Sequence, residues 1–332
     1  MSQSALTRRR FVTIAASAFG IAMLGRAVPS RASEPVRWRG SALGAQVSIE
    51  IHHPDRAAAA KLVETSVREV RRLEQLFSLY RPDSAICALN RSGVLIAPDP
   101  DMVVLLQTTL RLAEQTGGAF DPTVQPLWEL YRRHFEQTGA DPAGPGEADV
   151  ASVLAKVGYH DVLVSADRIA LKRPGAAVTL NGIAQGFATD RVVDLLRSGG
   201  MTTTLVDIGE IRAIGARPDG APWRVGLADP EKAEIELGAI ELVDRAVATS
   251  SGAGFRFDPV GRFTHLFDPS TGHSPSLYRS VSVVAPTATE ADALSTAFSV
   301  LDHSRIAAIV RGRAGVEVLL ADAEGGVQWL RA

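Results

Sequence analysis

Cysteine is almost absent from this sequence of 332 residues, which contains only Cys87. A single cysteine excludes a disulfide within the chain, and no cysteine lies at the end of the N-terminal apolar segment to carry a lipid anchor there. The neighbours of Cys87 are apolar, which predicts a small, buried side chain at this position. A nucleophilic thiolate is the alternative interpretation.

Apolar runs long enough to cross a membrane are also lacking. The segment Phe11–Leu24 has 14 residues, whereas a spanning helix needs about 20. It follows three arginines, Arg8–Arg10, and precedes small residues at Ser30–Ala32. This pattern predicts that residues 1–32 are a twin-arginine signal peptide, with export to the periplasm and no stable membrane anchor. An N-terminal core helix is the alternative.

A surplus of positive charge is missing as well. The chain has 35 Lys and Arg against 37 Asp and Glu, a net charge of −2. Residues 1–32 contain five arginines and no acid, so residues 33–332 carry a net charge of −7. Nucleic-acid binding needs a basic surface, so this class of partner is excluded. The 46% hydrophobic content predicts a globular body for residues 33–332.

Apolar periodicity predicts a mixture of helices and strands. The predicted helices are Asp55–Leu79, Asp101–Gln115, Pro122–Glu136, Glu147–Val157, Ala184–Ser198 and Thr289–Leu301. The predicted strands are Ala45–Ile51, a hairpin at Val162–Leu171, Thr203–Ile208, Ile211–Ala216, Trp223–Leu227, Ile235–Leu242, Ala246–Thr249, Phe263–Phe267, Val281–Ala285, Val316–Ala321 and Gly326–Leu330. Because strands and helices do not alternate regularly, we expect an α+β fold with largely antiparallel sheets.

Two segments have the composition of a phosphate or metal site. Asn181–Asp190 contains two glycines at a predicted strand-to-helix turn, where backbone N–H groups can approach a phosphate. In Thr289–Thr296, Asp292 and Thr296 share one helix face, and their oxygens suit a cation such as Mg²⁺. The alternatives are a plain tight turn in the first segment and a capping box joining Thr289 and Asp292 in the second.

Three further segments could complete such a site. Phe263–Gly272 places His265 beside a Ser, Thr and Gly turn, which suits proton transfer. Gly117–Thr123 ends one predicted helix and begins another, and Phe77–Ser84 carries Tyr80 in a polar loop. Taken singly, each segment is equally well explained by structure alone. Phe263–Gly272 can be a hairpin turn with an incidental histidine, Gly117–Thr123 the end of one helix and the start of the next, and Phe77–Ser84 ordinary packing.

In this order, the five segments resemble motifs of the ApbE family of FAD:protein FMN transferases. The matching stretches are Phe77–Tyr80, Gly118–Val124, Thr179–Gly186, Thr264–Gly272 and Ala291–Thr296. The resemblance implies a T-fold-like α+β architecture, bound FAD and one divalent cation, usually Mg²⁺. It implies a transfer of the FMN moiety of FAD to a Thr or Ser hydroxyl of an acceptor protein, with release of AMP. An FAD pyrophosphatase and a non-catalytic flavin-binding protein are the alternatives.

The resemblance also assigns residues to roles. It implies that Asp292, Thr296 and the Gly182 carbonyl bind the metal, and that His265 is the catalytic base. The residues implied to line the FAD site are Leu43, Ser78, Tyr80, Ala119, Phe120, Asp121, Thr179, Gln185 and Leu266.

Three residues of the glycine turn depart from the family pattern. Thr179 stands where the family has an acid, Asn181 replaces a glycine, and Gln185 replaces a lysine. This version of the turn resembles the NosX-like branch, which is associated with maturation of the nitrous-oxide reductase system. The implied partner is an acceptor flavoprotein with a periplasmic FMN-binding domain, either NosR-like or Rnf/Nqr-like.

Overall fold

The computed structural model describes residues 36–51 and 55–331. The predicted signal peptide, residues 1–32, lies outside these ranges. No helix in the described ranges has both the length and the apolar character that a membrane crossing requires.

An eight-stranded antiparallel sheet is the centre of the fold. In spatial order its strands are β1 (Val36–Ala42), β2 (Ala45–Ile51), β6 (Thr204–Asp207), β7 (Ile211–Ile214), β10 (Ala246–Ser250), β11 (Tyr278–Ala285), β12 (Glu317–Asp322) and β13 (Val327–Arg331). Two smaller antiparallel sheets are formed by β3 (Val94–Ile96), β5 (Arg168–Leu171) and β4 (Val162–Val164), and by β8 (Trp223–Ala228) with β9 (Glu236–Leu242). The expected α+β fold with antiparallel sheets is confirmed.

Helices cover one face of the large sheet and form the main hydrophobic core with it. They are α1 (Arg56–Phe77), α2 (Ala85–Ser92), α3 (Pro100–Gln115), α6 (Ala184–Ser198), α7 (Ala288–Phe298) and α8 (His303–Arg311). Helix α1 illustrates why they form: Asp55 caps its first turn, and Val63, Val70 and Leu73 bury one stripe. The β8–β9 hairpin covers the other face, where Val225 and Leu227 pack on Val284.

A separate aromatic cluster supports the segment after β10. Helices α4 (Gln125–Phe135) and α5 (Glu147–Leu154) contribute to it. The Tyr131 ring lies 5.7 Å from the Phe263 ring and 5.1 Å from the Phe267 ring. Ring contacts of this kind stabilise the segment by packing, without a ladder of backbone hydrogen bonds.

The structure corrects several of the predicted elements. Phe263–Phe267 is not a strand: only an isolated bridge joins Arg256 to Thr264, because the phenylalanines pack on α4 instead of on a sheet. No strand immediately precedes α6, so the predicted strand-to-helix turn is a loop-to-helix turn. Strands β1 and β3 and helices α2 and α8 were not predicted. Cys87 is half-buried rather than buried.

Candidate active site

One cleft collects most of the residues that the sequence singled out. It lies where the β1–β2 turn, the start of α4, the start of α6, the end of β10, the loop after Thr264 and α7 converge. Of the thirteen predicted site residues, eleven line it: Leu43, Ala119, Phe120, Asp121, Thr179, Gly182, Gln185, His265, Leu266, Asp292 and Thr296. Ser78 and Tyr80 line a smaller adjoining cavity, which shares Leu43, Asn181 and Gln185 with the cleft.

The floor of the cleft is the junction between α6 and α7. The Gly186 N–H, in the first turn of α6, donates a 2.9 Å hydrogen bond to Asp292 Oδ2. A Cβ atom at Gly186 would lie 2.3 Å from the Ala288 carbonyl oxygen, so only glycine allows the helices to meet this closely. Gly186 therefore serves helix packing here, rather than the phosphate approach suggested by the sequence.

The alternative capping box between Thr289 and Asp292 is wrong. Helix α7 is capped by Thr287, whose side-chain oxygen accepts from the Glu290 N–H at 3.2 Å. The Asp292 carboxylate reaches across to α6 instead. The Gly186 N–H bonds to Asp292 Oδ2 and not to Oδ1. Asp292 itself lines the cleft.

A carboxylate and a hydroxyl suited to a hard cation lie at this junction, beside Gly182. Asp292 and Thr296 lie one turn apart on α7, and Thr296 packs so tightly on Gly182 that a Cβ at that glycine would lie 2.8 Å from Thr296 Oγ1. The Ser250 and Thr296 hydroxyl oxygens are 3.3 Å apart. A carboxylate, a hydroxyl and a carbonyl fit Mg²⁺, which keeps several sites for water and phosphate oxygens. Among the described residues, no group of three or more His, Cys, Asp and Glu side chains forms a protein-only metal cage.

Burial raises the pKa of three carboxylates at or near the junction, Asp292, Glu210 and Asp207. Burial raises the pKa of Asp292 to about 7, opposed by the Gly186 hydrogen bond and reinforced by the charge of Asp190. Burial, with the charges of Asp292 and Asp207, holds the pKa of Glu210 well above its usual range. Burial also raises the pKa of Asp207 to about 6. A bound cation would favour the ionised carboxylates, so the electrostatics also fit a metal site.

Sequence reasoning missed Glu210. It lines the cleft from the turn between β6 and β7 and is buried. The available signal was a carboxylate in a short turn between two apolar strands, Asp207–Ile211. A carboxylate that is buried at such a position needs a hydrogen-bonding partner or a ligand.

His265 lies on the opposite wall, in the irregular segment after β10. It is half-buried, and its Nδ1 atom is 3.3 Å from the Phe255 carbonyl oxygen. Because a carbonyl only accepts, this contact assigns the proton to Nδ1 and leaves the Nε2 lone pair free. Burial lowers the pKa of His265, which the Phe255 contact partly opposes. The neutral ring is therefore suited to accept a proton at neutral pH.

Gln185 holds the turn that presents Leu43 to the cleft. Leu43 has a positive φ of 50°, which is unfavourable for a branched side chain. Its carbonyl accepts from Gln185 Nε2 at 3.0 Å, and its N–H donates to Glu74 Oε1 at 3.2 Å. The glutamine at the position of the family's lysine thus uses its amide within the protein.

Asp121 and Thr179 join two of the sequence segments. The Asp121 carboxylate accepts from the Thr123 N–H at 2.7 Å and from the Tyr159 N–H at 3.0 Å. The Thr179 N–H donates to the Pro122 carbonyl at 2.7 Å. Asp121 therefore caps the short 3₁₀ turn Pro122–Val124, as its place at the start of a predicted helix suggests, and it also lines the cleft.

Ser78 and Tyr80 form the outer edge of the adjoining cavity. Ser78 is buried at the end of α1, and its hydroxyl accepts from the Tyr80 N–H at 3.2 Å. The Tyr80 side chain is 41% exposed and lines this cavity together with Asn181. Trp128, which sequence reasoning did not select, lines the main cleft, and its ring centroid lies 6.1 Å from that of Phe255.

Comparison with known proteins identifies one family. The sequence model of the ApbE family matches residues 43–320. An FAD:protein FMN transferase of Escherichia coli is 30% identical over 330 residues, covering 95% of this chain and 93% of the relative. A protein of the same name from Treponema pallidum is 33% identical over 267 residues, covering 74% and 73%.

Solved structures show the same similarity. The ApbE protein of Thermotoga maritima superposes with a TM-score of 0.80 at 29% identity, covering 89% of this chain and 96% of that one. The flavin transferase ApbE of Vibrio cholerae gives a TM-score of 0.77 at 28% identity, with coverage of 89% and 96%.

Proposed function

This chain belongs to the ApbE family, and from that premise we propose that it transfers the FMN moiety of FAD to a hydroxyl group of an acceptor protein. The observation that carries the proposal is the meeting of a neutral histidine, His265, with the oxygen donors Asp292 and Thr296 in one cleft. A base and a metal-ligand pair are the two elements that phosphoryl transfer to a hydroxyl requires.

The reaction assigns a separate task to each wall of the cleft. The hydroxyl oxygen of an acceptor Thr or Ser attacks the phosphorus of the FMN moiety, and His265 Nε2 takes the hydroxyl proton. The bond between this phosphorus and the bridging oxygen breaks, and AMP leaves with that oxygen. Asp292, Thr296 and the Gly182 carbonyl would hold a divalent cation, which would offset the negative charge of the pyrophosphate. A base at the position of His265 contributes about 10²–10⁴-fold to such a rate.

The rest of the protein determines how FAD is oriented. Leu43, Phe120 and Leu266 offer apolar surface for a flavin or adenine ring, while the Gln185 and Asp121 side chains are occupied by hydrogen bonds within the protein. The missing acid at Thr179 and the missing lysine at Gln185 remove two charges from the family's turn. No lysine or arginine is among the described residues that line the cleft, so a bound metal would supply most of the positive charge that faces the pyrophosphate.

The proposal extends to the place of action and the acceptor. The arginine-rich N-terminal segment supports export to the periplasm by the twin-arginine route. The Leu180–Gly186 version of the glycine turn supports membership of the NosX-like branch, with a NosR-like or Rnf/Nqr-like acceptor that carries a periplasmic FMN-binding domain. Mg²⁺ is the cation proposed for the site.

Mass spectrometry of an acceptor domain tests the proposal. The purified chain is incubated with the domain, FAD and Mg²⁺, and the expected result is a covalent FMN adduct on one Thr or Ser, with one AMP released per adduct. EDTA or the Asp292→Ala variant should abolish the adduct. A covalent adduct that forms undiminished in EDTA would refute the metal-dependent scheme. Release of AMP without an adduct would assign FAD hydrolysis instead.

A further inference from the structure

Helices α6 and α7 cap each other at the floor of the cleft. Asp292 of α7 accepts from the Gly186 N–H in the first turn of α6. Asp190 of α6 accepts in return from the first two N–H groups of α7: Asp190 Oδ1 is 2.9 Å from Ala288 N, and Asp190 Oδ2 is 2.9 Å from Thr289 N. Each helix therefore carries the carboxylate that satisfies unpaired N–H groups at the start of the other.

The Asp190 carboxylate is completely enclosed by donors. The Thr289 hydroxyl donates to Oδ2 at 2.5 Å, and Arg212 Nη1 donates to Oδ1 at 2.5 Å. The Asp190 and Arg212 side chains are 12% and 9% exposed. Four donors on two oxygens fix the carboxylate in one orientation, and the ion pair compensates its burial.

The position of α7 is thus set at two points along α6. Asp292 and Thr296 follow the capped residues Ala288 and Thr289 within the next two turns of α7, and the helix is rigid over this length. The close packing of Gly186 on Ala288 leaves no space for α7 to move toward α6. The bonds from Asp190 hold the first turn of α7 on α6, the Asp292–Gly186 bond holds the next turn, and the rest of α7 packs on β10 and β11.

We propose that Asp190 is a positioning residue for the metal site: it holds the N-terminus of α7 so that Asp292 and Thr296 stay beside Gly182 in the cleft. Asp190 does not touch the substrate or the metal. This inference rests on the metal site of the proposed function. Residues that orient metal ligands from behind are typically worth about 10–100-fold in metal affinity.

The substitution Asp190→Asn tests this role with almost no change in shape. Three of the four partners of the carboxylate can only donate, so an amide NH₂ group faces at least one N–H donor in either orientation, even where the Thr289 hydroxyl turns to accept from it. We expect the start of α7 to separate from α6. The Kd for Mn²⁺, measured by electron paramagnetic resonance without FAD or acceptor, should rise about 10–100-fold.

Asp302→Asn is the matched control. Asp302 is also a helix-capping carboxylate, because its Oδ1 accepts from the Ser304 and Arg305 N–H groups at the start of α8. It takes no part in the α6–α7 junction. We expect Asp302→Asn to leave the Kd for Mn²⁺ within about twofold of the wild-type value, within the ordinary context-dependence of a distant cap.

Thr289→Val provides a milder test that keeps the ion pair. It removes the hydroxyl donor at 2.5 Å but leaves both backbone N–H groups and a side chain of similar volume. The Kd for Mn²⁺ should rise less than in Asp190→Asn but more than in Asp302→Asn. If Asp190→Asn does not fold, this variant decides the question.

The outcomes separate this inference from the proposed function. Wild-type protein that binds no Mn²⁺ would overturn the metal site itself. Wild-type protein that binds Mn²⁺, together with folded Asp190→Asn and Thr289→Val variants of unchanged affinity, would overturn only the role of Asp190. In Asp190→Asn, faster amide hydrogen exchange at Ala288 and Thr289, together with a Tm close to that of Asp302→Asn, would show that the lower Mn²⁺ affinity comes from the start of α7.

Discussion

Substituting Gly186 with alanine should disable the active site without removing any group that touches the substrate. An added Cβ would lie 2.3 Å from the Ala288 carbonyl oxygen, 2.6 Å from its carbonyl carbon and 2.8 Å from the Thr289 nitrogen. All three atoms belong to the backbone at the start of α7, so no side chain can rotate away. To reach an ordinary contact of about 3.5 Å, α7 has to shift by about 1 Å.

The size of the effect follows from this displacement. A misplacement of about 1 Å can cost about 100-fold in rate, so kcat/KM for FMN transfer should fall by about that factor. Overpacking costs typically about 1–3 kcal/mol of stability, of which the better helix propensity of alanine recovers roughly 0.5–1 kcal/mol. The variant should therefore remain folded, with a slightly lower Tm and a weaker affinity for Mn²⁺.

Steady-state transfer kinetics, the Kd for Mn²⁺ and thermal unfolding together decide this prediction. Gly146→Ala is the control, because Gly146 has a φ of −61° and an added Cβ would meet only Asp149 Oδ2, at 3.6 Å. The control should match wild type in all three measurements. A folded Gly186→Ala variant with kcat/KM and Mn²⁺ affinity within twofold of wild type would refute the reasoning.

Three other predictions concern the base, the metal ligand and the Leu43 turn. His265→Ala should lower kcat about 10²–10⁴-fold while leaving the Kd for FAD, measured by flavin fluorescence, nearly unchanged. An affinity for FAD that falls by the same factor as kcat would contradict the role of His265 as base. Because the pKa of His265 is lowered and the neutral ring is the active form, the pH profile of kcat should rise with pH through an apparent pKa below 6.5 and then level off. For Asp292, whose folded pKa of about 7 lies above the unfolded value of about 3.9, metal-free protein should lose stability as the pH rises from about 4 to 7, and Mg²⁺ should reverse this in thermal unfolding. Gln185→Ala should raise the KM for FAD several-fold with little effect on kcat, because the Leu43 turn loses the hydrogen bond to its carbonyl; an unchanged KM would show that the turn holds without it.

The sequence was most informative where one physical pattern dominates locally. The periodic apolar stripe of α1 and the alternation of β2 predicted both elements within a few residues. Phe263–Phe267 has a composition equally typical of a strand, but its aromatic side chains pack on Tyr131 and Phe135 of α4. Such a contact joins residues more than 120 positions apart, so local periodicity cannot reveal it.

The same distinction applies to the candidate site. The motif residues of the cleft were found because spacing within one segment identifies them, as for Asp292 and Thr296 on one helix face. The partners of these residues come from other segments. The bond from Gly186 to Asp292 spans 106 positions and that from Thr289 to Asp190 spans 99, so the reciprocal caps become visible only in the folded chain.

The two walls of the cleft differ in the substitutions that they can accept during evolution. The segment that carries His265 is held by the aromatic packing of Phe263 and Phe267, and packed apolar side chains tolerate exchange for others of similar volume. The α6–α7 junction allows no such freedom, because Gly186 has no permissible replacement and Asp190 is surrounded by four donors. The loops beside His265 can therefore drift and adapt to new acceptor proteins while the chemistry at the junction stays constant. A transferase with one constrained helix junction and one adaptable loop region can accept new acceptor proteins while its catalytic step stays the same.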